Sequence, residues 1–270
     1  MELELLLSRQ PKDKHLAPFI EAFWTCEVSN GRGLERVLPN GRTQLFINLH
    51  QDALHHFDDS GSVIQQASGM ALQGPVETPI VIDRAEQRAL CGVVFSVGAA
   101  FAIFGGKVSE VGSDLVDLNR LSWTDQWSLH ERLRKARDAA TRLDLLETAF
   151  SERIPLLQDW DIIVRQASIQ LRMGVDVRAV SNQFETSQQT LIMRFRERTG
   201  LTPKTYSRIE RLQQLVRNKR PETPWAEAAL DAGFADQSHM VREFRRFAGV
   251  TPTEYLPTSE DQQNHIALHN

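Results

Sequence analysis

GLTPKTY stands at residues 200–206, and the chain writes it again as GVTPTEY at 249–255, an offset of 49 positions. Set against each other at that offset, 188–206 and 237–255 share seven identical pairs in nineteen: Gln188/Gln237, Phe195/Phe244, Arg196/Arg245, Gly200/Gly249, Thr202/Thr251, Pro203/Pro252 and Tyr206/Tyr255. A solenoid needs at least three units, so two copies of one small helical unit is the simpler reading. In each copy a short helix, DVRAVSNQF (176–184) or PWAEAALDAGF (224–234), runs into a tight turn. A second helix then starts at Ser187 or Asp236, whose side-chain oxygens suit the free N–H groups of a first turn. Leu191 and Phe195, or Met240, Phe244 and Phe247, fall on one buried face at spacings of three and four. Gly200 and Gly249 are the expected left-handed stops. Thr202-Pro203 and Thr251-Pro252 then read as N-cap and first helical residue. The repeated letters therefore mark where one helix ends and the next begins.

A short helix, a tight turn and a helix with one polar face make a helix-turn-helix. Opposite the buried faces lie Gln188, Gln189, Thr190, Met193, Arg194 and Arg196 in one unit, and Gln237, Ser238, His239, Arg242 and Arg246 in the other. These are largely the residue types that reach base edges and phosphates in a major groove. Two matched, basic helices weigh against mere solvated faces. Between them, 202–220 reads as one long helix with Tyr206, Ile209, Leu212 and Val216 on a stripe. Such a helix fixes the separation of two reading heads, which can then enter grooves one helical turn (~34 Å) apart.

Total charge hides this. The chain of 270 residues carries a net −4, yet 156–258 holds 15 Lys+Arg against 12 Asp+Glu, and 1–155 holds 16 against 21. Cys26 and Cys91 are distant and lack CxxC spacing, which argues against a disulfide framework or zinc ribbon and fits a reducing cytosol. MELELLLSRQ lacks the basic start of a signal peptide. The uncharged run ALCGVVFSVGAAFAIFGG (89–106) carries four glycines, so a buried strand over about 90–96, a turn at Gly98 and a short helix over 99–104 explain it better than a membrane span. FIEAFWTCEV (19–28) and TQLFINLH (43–50) read as strands, and QGPVETPIVID (73–83) as extended chain. From about 126 to 150 the period becomes helical, for a dimer interface or a cover over the sheet. Pro155 and LLQDW read as a linker.

Residues 160–256 resemble the DNA-binding domain of the AraC/XylS family of bacterial transcription regulators, above all in ALDAGFADQSHMVREFRRFAGVTPTEY (229–255). The resemblance implies that Gln189, Thr190, Met193, Ser238, His239 and Arg242 contact bases, with Arg194, Arg196, Lys204, Arg245 and Arg246 on phosphates. The first unit departs from the family: NQFETS lacks the usual turn glycine, and Met193 can touch a thymine methyl but cannot bond guanine bidentately. LPNGRTQLFINL (38–49), LQGPVETP (72–79) and GVVFSVGAAFAIFGG (92–106) resemble a β-rich sensing domain found ahead of this module, with Val97 where a proline is usual.

Other signals are weaker. His50, His55 and His56 with Asp58 or Asp59 could suggest a cupin-type metal site, but the spacing is no known ligand pattern and the segment reads as a polar loop, so no metal is expected. Cys91 reads as a buried small residue. No phosphate loop, GxSxG or HExxH is present, which disfavours an enzyme, and no cofactor is expected. Trp24, Phe46, Phe57 and Phe95 are either core or the lining of a small-molecule pocket. The expectation is thus an α+β chain. Residues 1–155 form a β-rich, barrel-like sensor or dimerisation domain with helices. Residues 156–258 form an all-α domain: helix-turn-helix one at about 176–198, a joining helix at about 203–218 and helix-turn-helix two at about 224–247. A polar tail spans 259–270. The expected function is a cytoplasmic DNA-binding transcription regulator, activator or repressor. Its expected partners are double-stranded DNA, a small-molecule effector, RNA polymerase and a second copy through the N-terminal domain, with no membrane. The rival readings are an enzyme or ligand-binding protein with its site in the β domain, and a regulator acting through protein contacts.

Overall fold

The structure, a computed structural model, describes residues 4–29, 31–105, 111–112, 114–121, 126–154, 161–220, 222–259 and 262–268. One sheet runs in the order β1 (Glu4–Arg9), β2 (Ile20–Val28), β9 (Ala89–Phe95), β4 (Gln44–Asn48), β7 (Met70–Gln73), β10 (Leu115–Asp117). The second runs β11 (His265–Ala267), β3 (Leu34–Val37), β8 (Ile80–Asp83), β5 (Ala53–Phe57), β6 (Val63–Ser68). Neighbouring strands pair antiparallel in both.

Alternation along the first sheet divides its side chains between two tasks. Phe23, Leu45, Ile47, Cys91, Val93 and Phe95 point to one face and are 0% exposed. Trp24, Phe46 and Leu90 point to the other, toward the second sheet, and line a cavity. Gly92 lies between them because a Cβ there would stand 2.2 Å from the Leu45 carbonyl oxygen and 2.7 Å from the Trp24 ring. Helices α1 (Ala99–Phe104), α2 (Gln126–Lys135) and α3 (Ala139–Ser151) cover the first face. Leu129, Leu133, Leu143, Leu146 and Phe150 join its core, with Phe150 ring-to-ring at 5.7 Å from Phe95 and 6.1 Å from Phe23. The apolar face of the 126–150 region is therefore buried against the sheet.

Two expectations are corrected here. The polar loop read at His55–His56 is strand β5, whose ring nitrogens meet Glu86 at 2.9 Å and Gln65 at 3.2 Å. Among the described residues no group of three potential metal ligands occurs. Phe95 does not belong with Trp24 and Phe46: three residues beyond Gly92, it takes the opposite face and packs edge-on to Phe104. Cys91 is buried there too, and burial pushes its thiol up to about 12, so it is inert as a nucleophile. No described helix is long and apolar enough to cross a membrane.

The rest of the chain is helical: α4 (Ile162–Arg172), α5 (Val177–Gln183), α6 (Gln188–Thr199), α7 (Pro203–Asn218), α8 (Trp225–Asp231) and α9 (Gln237–Ala248). They share one core around Leu191, Phe195, Tyr206, Leu212, Phe244 and Phe247. The expected boundary at 155/156, with its linker, lies outside the described residues. TPTEY (251–255) differs from TPKTY (202–206). Thr202 caps α7 by accepting from the Thr205 N–H, whereas residues 252–254 make only a turn. There Thr251 donates from both N–H and Oγ1 to Glu254 at 2.8 Å. Pro257 follows two residues after Tyr255; it offers no N–H and keeps Leu256 out of the helical region, so no helix propagates.

Candidate nucleic-acid interface

Each proposed reading helix is delimited by its own sequence. Ser187 accepts the Thr190 N–H at 3.0 Å and Asp236 accepts the His239 N–H at 2.6 Å. Such caps contribute about 1 kcal/mol each. Gly200 (φ 81°) and Gly249 (φ 71°) end the helices in the left-handed region. The turns before them differ. In the second unit Gly233 takes positive φ (80°); in the first, Glu185 takes it (50°). A side chain in that region costs ~1–2 kcal/mol, so Glu185→Gly should raise the unfolding free energy by about 1 kcal/mol, read from chemical denaturation.

On α6, Leu191 and Phe195 are buried, while Gln189, Thr190, Met193 and Arg196 are exposed, Met193 to 65%. On α9, Met240, Phe244 and Phe247 are buried, while Ser238, Arg242, Arg245 and Arg246 are exposed. Lys204 is exposed on the first turn of α7. Three of the expected contact residues are partly engaged within the chain. His239 is half-buried, edge-on to Phe234 at 5.6 Å. Arg194 pairs with Asp161, the residue that caps α4. Arg246 lies 3.7 Å from Glu77 of the β domain.

Helix α7 holds the two units in one body. Its Arg208 donates twice to Glu243 of α9, once at 2.6 Å, and lies 5.3 Å above the Phe247 ring. The Arg208 guanidinium holds the Glu243 carboxyl below the usual carboxylate range. Phe195 of α6 meets Tyr206 of α7 at 5.5 Å.

Sequence reasoning missed how this body is seated. The three N-terminal motifs all touch it. In LPNGR, Arg42 bonds Glu210, Glu21 (2.8 Å) and the Tyr206 hydroxyl (3.3 Å), while Gln213 donates to the Pro39 carbonyl at 2.8 Å. Burial opposes the Arg42 charge, but Tyr206, Glu21 and Glu210 more than offset it and its pKa is raised. A Cβ on Gly41, in the left-handed region, would stand 3.3 Å from the Tyr206 ring. In GPVET, Pro75 lies against Gly200 and Glu77 faces Arg246. In VGAAF, Gly98 approaches Val164 and the Arg198 guanidinium stacks 3.9 Å from the Phe101 centroid. One signal could have revealed this. Glu210 is an acid beside the apolar stripe of α7, one turn from Tyr206, where a carboxylate requires a buried cation.

The cavity between the sheets measures about 620 Å³. Trp24, Phe46, Leu54 and Ile82 supply apolar wall, and Glu35 and Arg217 supply charge. It falls within the range of small-molecule sites.

Paired capped helices on a shared long helix define a tandem helix-turn-helix domain. Residues 180–257 match a family model described as a helix-turn-helix domain, and residues 8–117 match one described as a domain of unknown function, DUF6597. The HTH-type transcriptional activator RhaS of Escherichia coli is 28% identical over 130 residues, 47% of this chain and 39% of that protein. The Escherichia fergusonii RhaS is 32% identical over 84 residues, 30% of each. The chain thus spans about two fifths of the length of the first of these relatives. Its C-terminal part is a helix-turn-helix domain, preceded by a β-rich domain. Among solved structures, ToxT from Vibrio cholerae aligns over 93% of this chain and 96% of its own at 12% identity, TM-score 0.45. ToxT with bound unsaturated fatty acid aligns over 94% of each chain at 13% identity, TM-score 0.45.

Proposed function

We propose that this protein is a sequence-specific, DNA-binding transcription regulator whose helices α6 and α9 read two adjacent stretches of major groove. The observation that carries the reading is the pair of exposed faces, Gln189/Thr190/Met193/Arg196 and Ser238/Arg242/Arg245/Arg246, fixed to one rigid helix. Arg196, Lys204 and Arg245 supply phosphate contacts and a steep salt dependence. Ser238 and Arg242 read base edges. On α6, Gln189 and Thr190 can bond a base while Met193 offers only an apolar contact, so the first unit discriminates less than the second. The cavity takes a small-molecule effector, and residues 1–155 act as its sensor.

Selection of bound duplexes from a random pool by the full chain tests this directly. A two-part motif with centres about one helical turn apart is the expected outcome; absence of any enrichment, with and without added cell extract metabolites, would sink the reading. On the selected duplex, Arg242→Ala should weaken binding by roughly 10- to 100-fold and relax preference at one base pair. Met193→Ala should weaken it by only a few-fold, comparable to losing one apolar methyl contact.

A further inference from the structure

The 262–268 segment follows the second helix-turn-helix, yet it belongs to the sensor domain's sheet. β11 lies antiparallel on β3, with His265 opposite Val37 and Ala267 opposite Glu35. Main-chain bonds close both ends: the Leu38 N–H donates to Asn264 at 2.9 Å and the Leu268 N–H to Leu34 at 2.9 Å. The His265 ring meets the buried Glu35 carboxylate at 2.9 Å. Ile266, 4% exposed, is packed into the helical core.

The same few residues touch the reading body. Gln213 of α7 donates to Asn264 Oδ1 at 2.9 Å. The Tyr255 hydroxyl donates to the Gln263 carbonyl at 2.6 Å. The Tyr255 ring packs on Phe244 of α9 at 5.3 Å and on Trp225 of α8 at 6.2 Å. Gln262, Gln263, Asn264 and His265 also form part of the cavity wall. The 262–268 segment therefore contacts the cavity, the sensor sheet, the joining helix and the core of the second unit.

A three-residue strand at the end of a sheet is the kind of element that opens locally without global unfolding. The cavity stays open with the strand in place, so an occupant adds contacts to the docked strand and stabilises it by linkage. We propose that the 262–268 segment is a strap that reports cavity occupancy to the second helix-turn-helix. The ligand is an amphipathic small molecule, its apolar body against Trp24, Phe46 and Leu54 and its polar end toward the strap. This rests on reading the cavity as the effector site.

The test uses 1-anilinonaphthalene-8-sulfonate as probe on the full chain. The dye should bind with enhanced fluorescence, and Leu54→Trp, which narrows the apolar wall of the cavity, should weaken that binding by about tenfold. His265→Ala, and more strongly Ile266→Asp, should weaken it by about tenfold, the equivalent of one buried polar interaction. Bound dye should slow hydrogen exchange at the Leu38 and Leu268 amides and, beyond the strap, at Glu254. Cavity binding that is indifferent to both strap variants, with unchanged exchange, overturns the strap and leaves the effector site standing. Slowing at Leu38 and Leu268 without any at Glu254 overturns the link to the second unit. Dye that does not bind, or that ignores Leu54→Trp, overturns both the effector site and the strap.

Discussion

Glu210→Ala should lower the stability of the chain by about 3–5 kcal/mol, the usual result of removing one partner of a buried ion pair. Arg42 and Glu210 are 9% and 3% exposed. Without Glu210, the guanidinium retains Glu21, whose side chain is 36% exposed, and the Tyr206 hydroxyl. The Arg42 guanidinium lies 5.7 Å from the Tyr206 ring centroid, which covers it from one side. For a chain of this length the loss corresponds to a fall of roughly 10 °C in the unfolding midpoint. Helix α7 has its own cap and apolar stripe, so its helicity should survive. What is lost is the seat that ties it to LPNGR. Glu210→Gln, which keeps shape and one acceptor, should cost less than Glu210→Ala. A midpoint shift under about 2 °C for Glu210→Ala would mean that Arg42 is not held by this pair.

Phe244→Ala should be of similar size, about 3–5 kcal/mol for an aromatic ring removed from a packed interior. Phe244 is 0% exposed, with Trp225 at 5.6 Å and Tyr255 at 5.3 Å, both edge-on. Its loss leaves a void between α8, α9 and the turn after α9, where neither ring can close the gap without abandoning the other. The Trp225 emission should move toward that of a wetter indole, and binding to the selected duplex should fall even at saturating protein. Phe195→Ala provides the parallel experiment in the first unit, where Tyr206 is the partner. Unchanged Trp225 emission and an unchanged melting midpoint for Phe244→Ala would refute the assignment of that core.

How much of this was legible from the sequence depended on the range of the interactions. The helical units announce themselves through local signals: Ser187 and Asp236 as caps, Gly200 and Gly249 as stops, Leu191 and Phe195 one turn apart. Each is settled within a few residues, so sequence spacing carries it. The β domain is decided by pairing between distant strands. Trp24, Gly92 and Phe46 meet only because β2, β9 and β4 adopt one register, and the sequence of one strand does not reveal another's register. Without it, Phe95 looks as good a pocket residue as Phe46. Strand β5 went unread because His55 and His56 satisfy their rings against Glu86 and Gln65, and such polar residues disguise a strand as a loop. The polar stretch after 258 hid β11 for the same reason, since three residues are too few to show a period. The second Thr-Pro misled in the opposite direction: it matched a helix start that Pro257 forbids.

Helix α7 also has a consequence for how such a protein can change. Its 16 residues span both units without a break, and each residue added to a helix turns everything beyond it by about 100° and advances it ~1.5 Å. Side chains on its outer surface are free to drift, but its length is a phase setting. A single inserted or deleted residue would turn α9 by a quarter-turn or more relative to α6, and one placed before Glu210 would carry Glu210 and Gln213 off the loop that receives them. Substitution is therefore open to this helix, whereas insertion is closed to it.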